Sequence, residues 1–276
     1  MTGAGGLLGQ AIRAELERRG HDALALTHEQ LDVLDAPAVE QALERLRPDA
    51  TVQCAGYTRA DDAELEEAAA QALNAGATAT LARASARLGF RLVYPSSDYV
   101  FDGRARQPYA PSAATAPLGA YGRSKVAGER AALAAPGALV VRTAWLYGSG
   151  GRNFVRTILG QAREGRSPLV VGDQIGSPTP AAVAAAAIVG LLESAAPGGV
   201  YHAACRGQAS WFELAREAVR LAGLDVPVRS ARTEEVPRRA RRPAYSVLDS
   251  SATEARVGPL PDWRAALAAA IAEGAW

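Results

Sequence analysis

Apolar residues follow two alternating rhythms through the first half of the chain. Four short runs are almost continuously apolar: DALALT (22–27), DATVQCA (49–55), FRLVYPSS (90–97) and ALVVRT (138–143). Runs of this length suit strands buried on both faces. Between them, apolar positions recur at helical spacing over roughly 7–19, 37–46, 63–88 and 121–135. The alternation predicts an α/β fold with a doubly wound parallel sheet, right-handed crossovers and ligands at the carboxyl ends of the strands. After about residue 147 the rhythm changes. Helical pieces near 152–164, 180–194, 210–223 and 262–272 mix with short apolar runs and Pro-rich loops. The expected division is a dinucleotide-binding domain over 1–146 and a smaller lobe over 147–276, interleaved with the first.

Composition narrows the function classes. With 276 residues the chain can bury a sizeable core, as one large domain or two unequal lobes. Lys plus Arg number 30 and Asp plus Glu 29, a net charge of +1, which argues against a dedicated nucleic-acid or membrane-surface binder. The basic run RRARR (238–242) reads as a solvated loop. No stretch reaches the ~18 apolar residues of a membrane span; the longest, PAAVAAAAIVGLLE, reads as a buried helix. No signal peptide is visible. Cys54 and Cys205 lie far apart beside apolar residues, as two reduced thiols of a cytoplasmic protein would. His21, His28 and His202 show no ligand spacing, so no metal site is predicted.

The opening MTGAGGLLGQA places Gly3, Gly6 and Gly9 before a helical pattern that includes Ile12 and Leu16. Glycines at this spacing permit a tight turn and bring backbone N–H groups to a pyrophosphate at a helix N-terminus. A strand should precede such a loop, yet only Met1 and Thr2 do. A cofactor site without its first strand, a shortened reading frame and a chance glycine cluster are all compatible with this stretch alone. YGRSK adds chemistry, because Tyr121 and Lys125 share one helix face. The ammonium would lower the phenol pKa from its usual ~10 and could hold a ribose hydroxyl. A phenol so tuned can protonate a carbonyl oxygen as hydride reaches the carbon. The alternative is an exposed helix face. SSDYVFDG (96–103) closes a strand upstream, where the Ser97 hydroxyl would meet the same oxygen.

Taken in order, TGAGG, LDVLD (31–35), CAGYT (54–58), SSDYVFDG, YGRSK, RTAWLYG (142–148), RNF (152–154), DQIGSPT (173–179) and RPAYSVLD (242–249) resemble the dTDP-4-dehydrorhamnose reductases of the extended short-chain dehydrogenase/reductase superfamily. The resemblance spans essentially the whole chain. It implies a Rossmann-type fold and reduction of the C4 keto group of a dTDP-linked 6-deoxy sugar. Tyr121 then resembles the proton donor, Lys125 its electrostatic and ribose partner, and Ser97 the assisting hydroxyl. Gly3, Gly6, Leu7, Leu8 and Gly9 resemble the pyrophosphate turn, Asp32 and Val33 the adenine contacts, and Ala55, Gly56 and Tyr57 the segment over the cofactor. Asp98, Trp145, Asn153, Gln174 and Arg242 fall on the nucleotide-sugar side, where an arginine fork suits a diphosphate. Trp145 as plain core, DQIGSPT as a structural loop and Asp32 as a helix cap are the competing readings.

Departures from the family pattern also inform. Gln53 replaces a common Asn, Pro95 precedes the serines, and Tyr245 stands where Asn is frequent. The run ending ALALTHE has no acidic residue at Thr27, where a carboxylate would hold the ribose hydroxyls of NADH and repel a 2′-phosphate. NADPH is therefore expected, with NADH left open. The resemblance also leaves open Mg²⁺, for which the sequence offers no ligand set, and a homodimer. Family members carry a short apolar run before TGAGG, so a start assigned a few residues too late is expected over a natural truncation. Reduction of a different dTDP-4-keto sugar and a non-catalytic, NADP-binding regulatory subunit are the rival functions.

Overall fold

In the computed structural model, which describes residues 1–274, the first half runs α1 (Leu7–Arg18), α2 (Ala36–Leu46), β1 (Ala50–Val52), α3 (Ala60–Ala63), α4 (Glu67–Gln71), a π-helical turn (Ala72–Gly76), α5 (Ala77–Leu88), β2 (Arg91–Ser97), α6 (Ala120–Leu133) and β3 (Leu139–Thr143). The second half adds β4 (Leu146–Tyr147), α7 (Phe154–Arg163), β5 (Leu169–Val171), β6 (Ile175–Gly176), β7 (Thr179–Pro180), α8 (Ala181–Glu193), β8 (Gly199–His202), β9 (Ala209–Ser210), α9 (Trp211–Leu221), β10 (Arg229–Ala231), α10 (Ser251–Val257) and α11 (Trp263–Ala272).

The main sheet is parallel, in the order β1-β2-β3-β8. Its pleat explains the continuous apolar runs. Leu92, Tyr94 and Val140 pack on one face with Val39, Leu43 and Leu81 of α2 and α5. Their neighbours Val93, Leu139 and Val141 pack on the other with Ile12 of α1 and Ile188 and Leu191 of α8. Each large aliphatic side chain so buried contributes about 1.5–3 kcal/mol. Because β8 and α8 belong to the second half, the sheet and its covering layer draw on both halves of the chain. The remaining elements build a separate core around Trp145, Tyr147, Ile158, Leu159, Leu214, Trp263 and Leu267.

Four readings are corrected. The first strand is not simply missing, because Met1 and Thr2 occupy its central place. Thr2 bridges both Leu26 and Gln53, the Thr2 amide donates to the Val52 carbonyl at 3.1 Å, and the Leu26 amide donates to the Met1 carbonyl at 2.9 Å. The strand expected over 22–27 shrinks to a bridge at Leu26, since so short a neighbour offers few rungs. The helix expected over 63–88 is divided into α4, the π-helical turn and α5. Nor does Asp32 cap a helix: Asp35 does, its carboxylate accepting from the Ala38 amide at 3.0 Å. Among the described residues, no helix is long and apolar enough to cross a membrane.

Candidate active site

The glycine loop leaves the central stub of the sheet and turns directly into α1. Gly3 has φ +64°, and a Cβ there would lie 2.3 Å from the Ala55 nitrogen. At Gly9 a Cβ would lie 2.2 Å from the Gly3 carbonyl oxygen, so loop and helix touch backbone to backbone. The Gly6 amide donates to Gly3 at 3.1 Å and closes the turn. No side chain caps α1. The first-turn amides of Leu7, Leu8 and Gly9 therefore remain for an anion, and this side-chain-free cradle fits the pyrophosphate of a dinucleotide. Ala55, Gly56 and Tyr57 form the adjoining wall. Val33 is buried, whereas the Asp32 side chain accepts from the Leu34 amide at 2.9 Å in an exposed loop. At the head of that loop the Thr27 amide donates to Gln30 at 2.9 Å.

At the carboxyl end of β2, the structure gathers Ser97, Asp98, Tyr121 and Trp145. The Ser97 hydroxyl accepts from the Tyr99 amide at 3.2 Å, donates to Asp98 at 3.1 Å and lies within hydrogen-bond reach of the Tyr121 phenol. Asp98 also accepts from the Ser246 hydroxyl at 2.6 Å and from the Trp145 indole. Burial nevertheless pushes its carboxyl up to about 6. Tyr121 sits edge-on to Tyr99, with ring centroids 5.7 Å apart. Lys125 is one turn along α6. Its ammonium donates to the Pro95 carbonyl at 2.7 Å and stands 4.2 Å above the Tyr94 ring. Burial lowers this amine to about 8.

The electrostatics correct the reading of Tyr121. Burial pushes its phenol well up, the Ser97 hydrogen bond opposes that, and the nearby Asp98 carboxyl adds to it. The Lys125 ammonium is engaged by Pro95 rather than tuning the phenol downward. In this state Tyr121 holds its proton firmly.

Other expected substrate residues are committed elsewhere. Asn153 caps α7, accepting from the Arg156 amide at 3.1 Å while its own amide donates to Gly148 at 2.7 Å. Gln174 is buried and donates to Thr233 at 2.9 Å. The fork of Arg242 closes on Asp61 at 3.0 and 2.9 Å and on the Ala240 carbonyl at 2.9 Å, so it clasps its own loop to α3 rather than pointing at a diphosphate. Trp145 belongs both to the site and to the core. Beyond its bond to Asp98, it stacks on Trp211 with centroids 3.6 Å apart and planes 3° from parallel. It holds φ +47°, a conformation rare for a bulky residue.

Two groups escaped sequence reasoning. Asn74, fully buried in the π-helical turn, accepts from the Tyr57 amide at 2.9 Å and donates to the Tyr57 carbonyl at 3.0 Å and the Ser124 hydroxyl at 2.8 Å. It thus fixes the Tyr57 segment against α6. Glu129 and Arg142 form a buried pair beneath the same helix, at 2.7 and 2.8 Å. A lone Asn or Glu in a helical pattern gives no sign of partners 13 or more residues away, although Glu129 does fall on the helix face of Tyr121 and Lys125.

Comparison with known proteins agrees with this arrangement. The model of the RmlD substrate binding domain family matches residues 1–275. The chain is 45% identical over 280 residues to the dTDP-4-dehydrorhamnose reductase of Mycobacterium tuberculosis, covering 99% of this chain and 91% of that one. It is also 45% identical over 273 residues to a probable dTDP-4,6-dihydroxy-2-methyloxan-3-one 4-ketoreductase of Streptomyces antibioticus, covering 97% and 92%. The crystal structure of dTDP-4-dehydrorhamnose reductase from Bacillus anthracis in complex with NADP superimposes with a TM-score of 0.94 at 36% identity, covering 99% of this chain and 97% of that one. Matched from end to end in sequence and backbone, the chain belongs to the dTDP-4-dehydrorhamnose reductase family.

Proposed function

We propose that this protein reduces the C4 keto group of dTDP-4-dehydro-L-rhamnose, yielding dTDP-L-rhamnose, with NADPH as reductant. The observation that carries this reading is the pairing of the Ser97 hydroxyl with a firmly protonated Tyr121 phenol at the carboxyl end of β2, beside the cradle of the glycine loop. Gly3, Gly6, Leu7, Leu8 and Gly9 would hold the pyrophosphate, and Ala55, Gly56 and Tyr57 would form the wall beside it. When bound, NADPH supplies the hydride that C4 accepts. Tyr121 gives its proton to the C4 oxygen, and a phenol that burial keeps neutral is in the correct form to do so. Ser97 offers that oxygen a hydrogen bond, and the ammonium of Lys125 favours the negative charge developing nearby. Asp98 and Trp145 flank the same space and orient the sugar.

The absence of a carboxylate at Thr27 supports NADPH over NADH. A second reading rests on the equal 45% identity to the 4-ketoreductase of S. antibioticus: the substrate is then another dTDP-4-keto-6-deoxy sugar. Turnover against a panel of such sugars separates the two. Tyr121→Phe tests the mechanism common to both. It is expected to lower turnover by roughly 10²–10⁴ while NADPH binding stays near normal. Near-normal turnover would refute the assignment. Absence of keto-sugar-dependent NADPH oxidation across the whole panel would favour a regulatory subunit.

A further inference from the structure

The helix that carries Tyr121 and Lys125 is bolted to the sheet two turns beyond Tyr121. Glu129, on α6, accepts the Ser96 hydroxyl at 2.6 Å and a two-pronged contact from Arg142 of β3 at 2.8 and 2.7 Å. Ser96, Glu129 and Arg142 are each at most 4% exposed. Ser96 directly precedes Ser97, and its carbonyl accepts from the Thr143 hydroxyl at 3.2 Å. Arg142 spends its remaining donors on the Pro111 carbonyl at 3.1 Å and on the His202 ring at 3.4 Å, and its guanidinium lies 5.0 Å from the centre of the Phe101 ring. One carboxylate therefore joins the helix of the proton donor, the strand of the assisting hydroxyl and the neighbouring strand.

We propose that Glu129, held by Ser96 and Arg142, is a positioning residue for the ketoreductase reaction: it sets α6 against the end of β2 and places a carboxylate one helical turn from Lys125. The proposal rests on the catalytic reading of Tyr121 and Lys125 given above.

The groups around Lys125 single out Glu129 as the source of the charge that favours its ammonium. On α6 itself the neighbours are Tyr121 and Glu129. From β2 come the Tyr94 ring and the Pro95 carbonyl, and from the segment after β1 comes Cys54; Asp98 and Tyr99, in the turn after β2, lie against Tyr121. Burial pushes the Cys54 thiol up to about 12 and holds Tyr94 and Tyr121 well above their ordinary range, so these three are neutral where the enzyme works. Asp98 acts on Tyr121, and Arg142 repels an ammonium. Glu129 is left to offset the burial that lowers Lys125. The sign follows. Lys125 is charged below its folded value of about 8, and loss of the Glu129 charge lowers that value further, so the ammonium is lost at a lower pH.

The test is the pH dependence of kcat/KM for the keto sugar at saturating NADPH, which reports groups of the enzyme before sugar binds. The wild-type alkaline limb is expected near pH 8. Glu129→Gln should move it down by about one pH unit. Glu129→Asp, which keeps the charge on a shorter arm, should leave the limb in place but lower kcat. Glu129→Gln with Arg142→Met removes both charges together. Its thermal stability should return toward wild type while its limb recovers only in part, because the repulsion from Arg142 is lost along with the attraction of Glu129. A wild-type limb in folded Glu129→Gln, complete recovery of the limb in the double variant, or failure of the double variant to fold would each overturn the proposal. Tyr121→Phe run alongside separates the two levels. Full turnover there defeats the underlying mechanism, whereas lost turnover with an unmoved Glu129→Gln profile defeats this inference alone.

Discussion

Arg142 and Arg242 each close a guanidinium fork on one carboxylate, yet the two pairs are different devices. Arg142 and Glu129 have side chains 4% and 5% exposed and lie between sheet and helix, whereas Arg242 and Asp61 are 18% and 30% exposed and clasp a loop at the rim. The first pair is cut off from solvent, so each charge depends on the other and on the polar groups around it. The second keeps water within reach, and solvent screens much of its attraction. The lesson concerns anion binding as well as stability. A guanidinium on the substrate side of a sequence looks ready for a diphosphate, but at Arg242 a carboxylate of the same chain already fills the fork.

The largest effect expected from this contrast is at the buried pair. Arg142→Met leaves the Glu129 carboxylate without its counter-charge and should cost about 3–5 kcal/mol, read from denaturant unfolding. A loss below about 1 kcal/mol, the scale of exposed pairs, would erase the distinction. Arg242→Ala should cost about 1 kcal/mol or less. Its KM for the sugar nucleotide should change by less than about threefold, roughly 0.6 kcal/mol, because the fork serves Asp61. A much larger rise in KM would return Arg242 to the diphosphate.

The smallest effect lies in acid. The Arg242 fork, helped by the Ala240 amide, pulls the Asp61 carboxyl down to about 2. A carboxyl lowered on folding stabilises the native state above its unfolded value near 4, and that contribution disappears as pH falls through the folded value. The stability gap between wild type and Arg242→Ala should therefore narrow from pH 5 to pH 2. After allowance for screening, the change should stay under about 1 kcal/mol. A gap independent of pH would show that Arg242 acts through packing rather than charge.

Local signals made much of the molecule legible. Helices over 7–19 and 121–135 follow from periodicity, and the continuous runs at 49–55, 90–97 and 138–143 from burial on both faces, because each is a property of neighbouring residues. Ser97, Tyr121 and the glycine loop were readable for the same reason, being bound to strand ends and helix starts. What was missed depends on contacts distant in sequence. Asn74 reaches Ser124 across 50 positions, Arg242 reaches Asp61 across 181, and the bridge at Leu26 depends on a partner at Thr2. Asn153, expected on the nucleotide-sugar side, caps α7, a local bond that its place just before a helical pattern could have signalled.

The double clamp of Asn74 on Tyr57 has a kinetic consequence. A loop whose backbone groups are unpartnered must be ordered as its ligand arrives, and that requirement slows productive encounters. Here both backbone groups of Tyr57 are already bonded before any nucleotide approaches. Docking beside this wall meets a finished surface, so little of the encounter is wasted on rearrangement. If a dinucleotide docks on this wall as proposed, differences in affinity among competitors reside chiefly in how long each one stays.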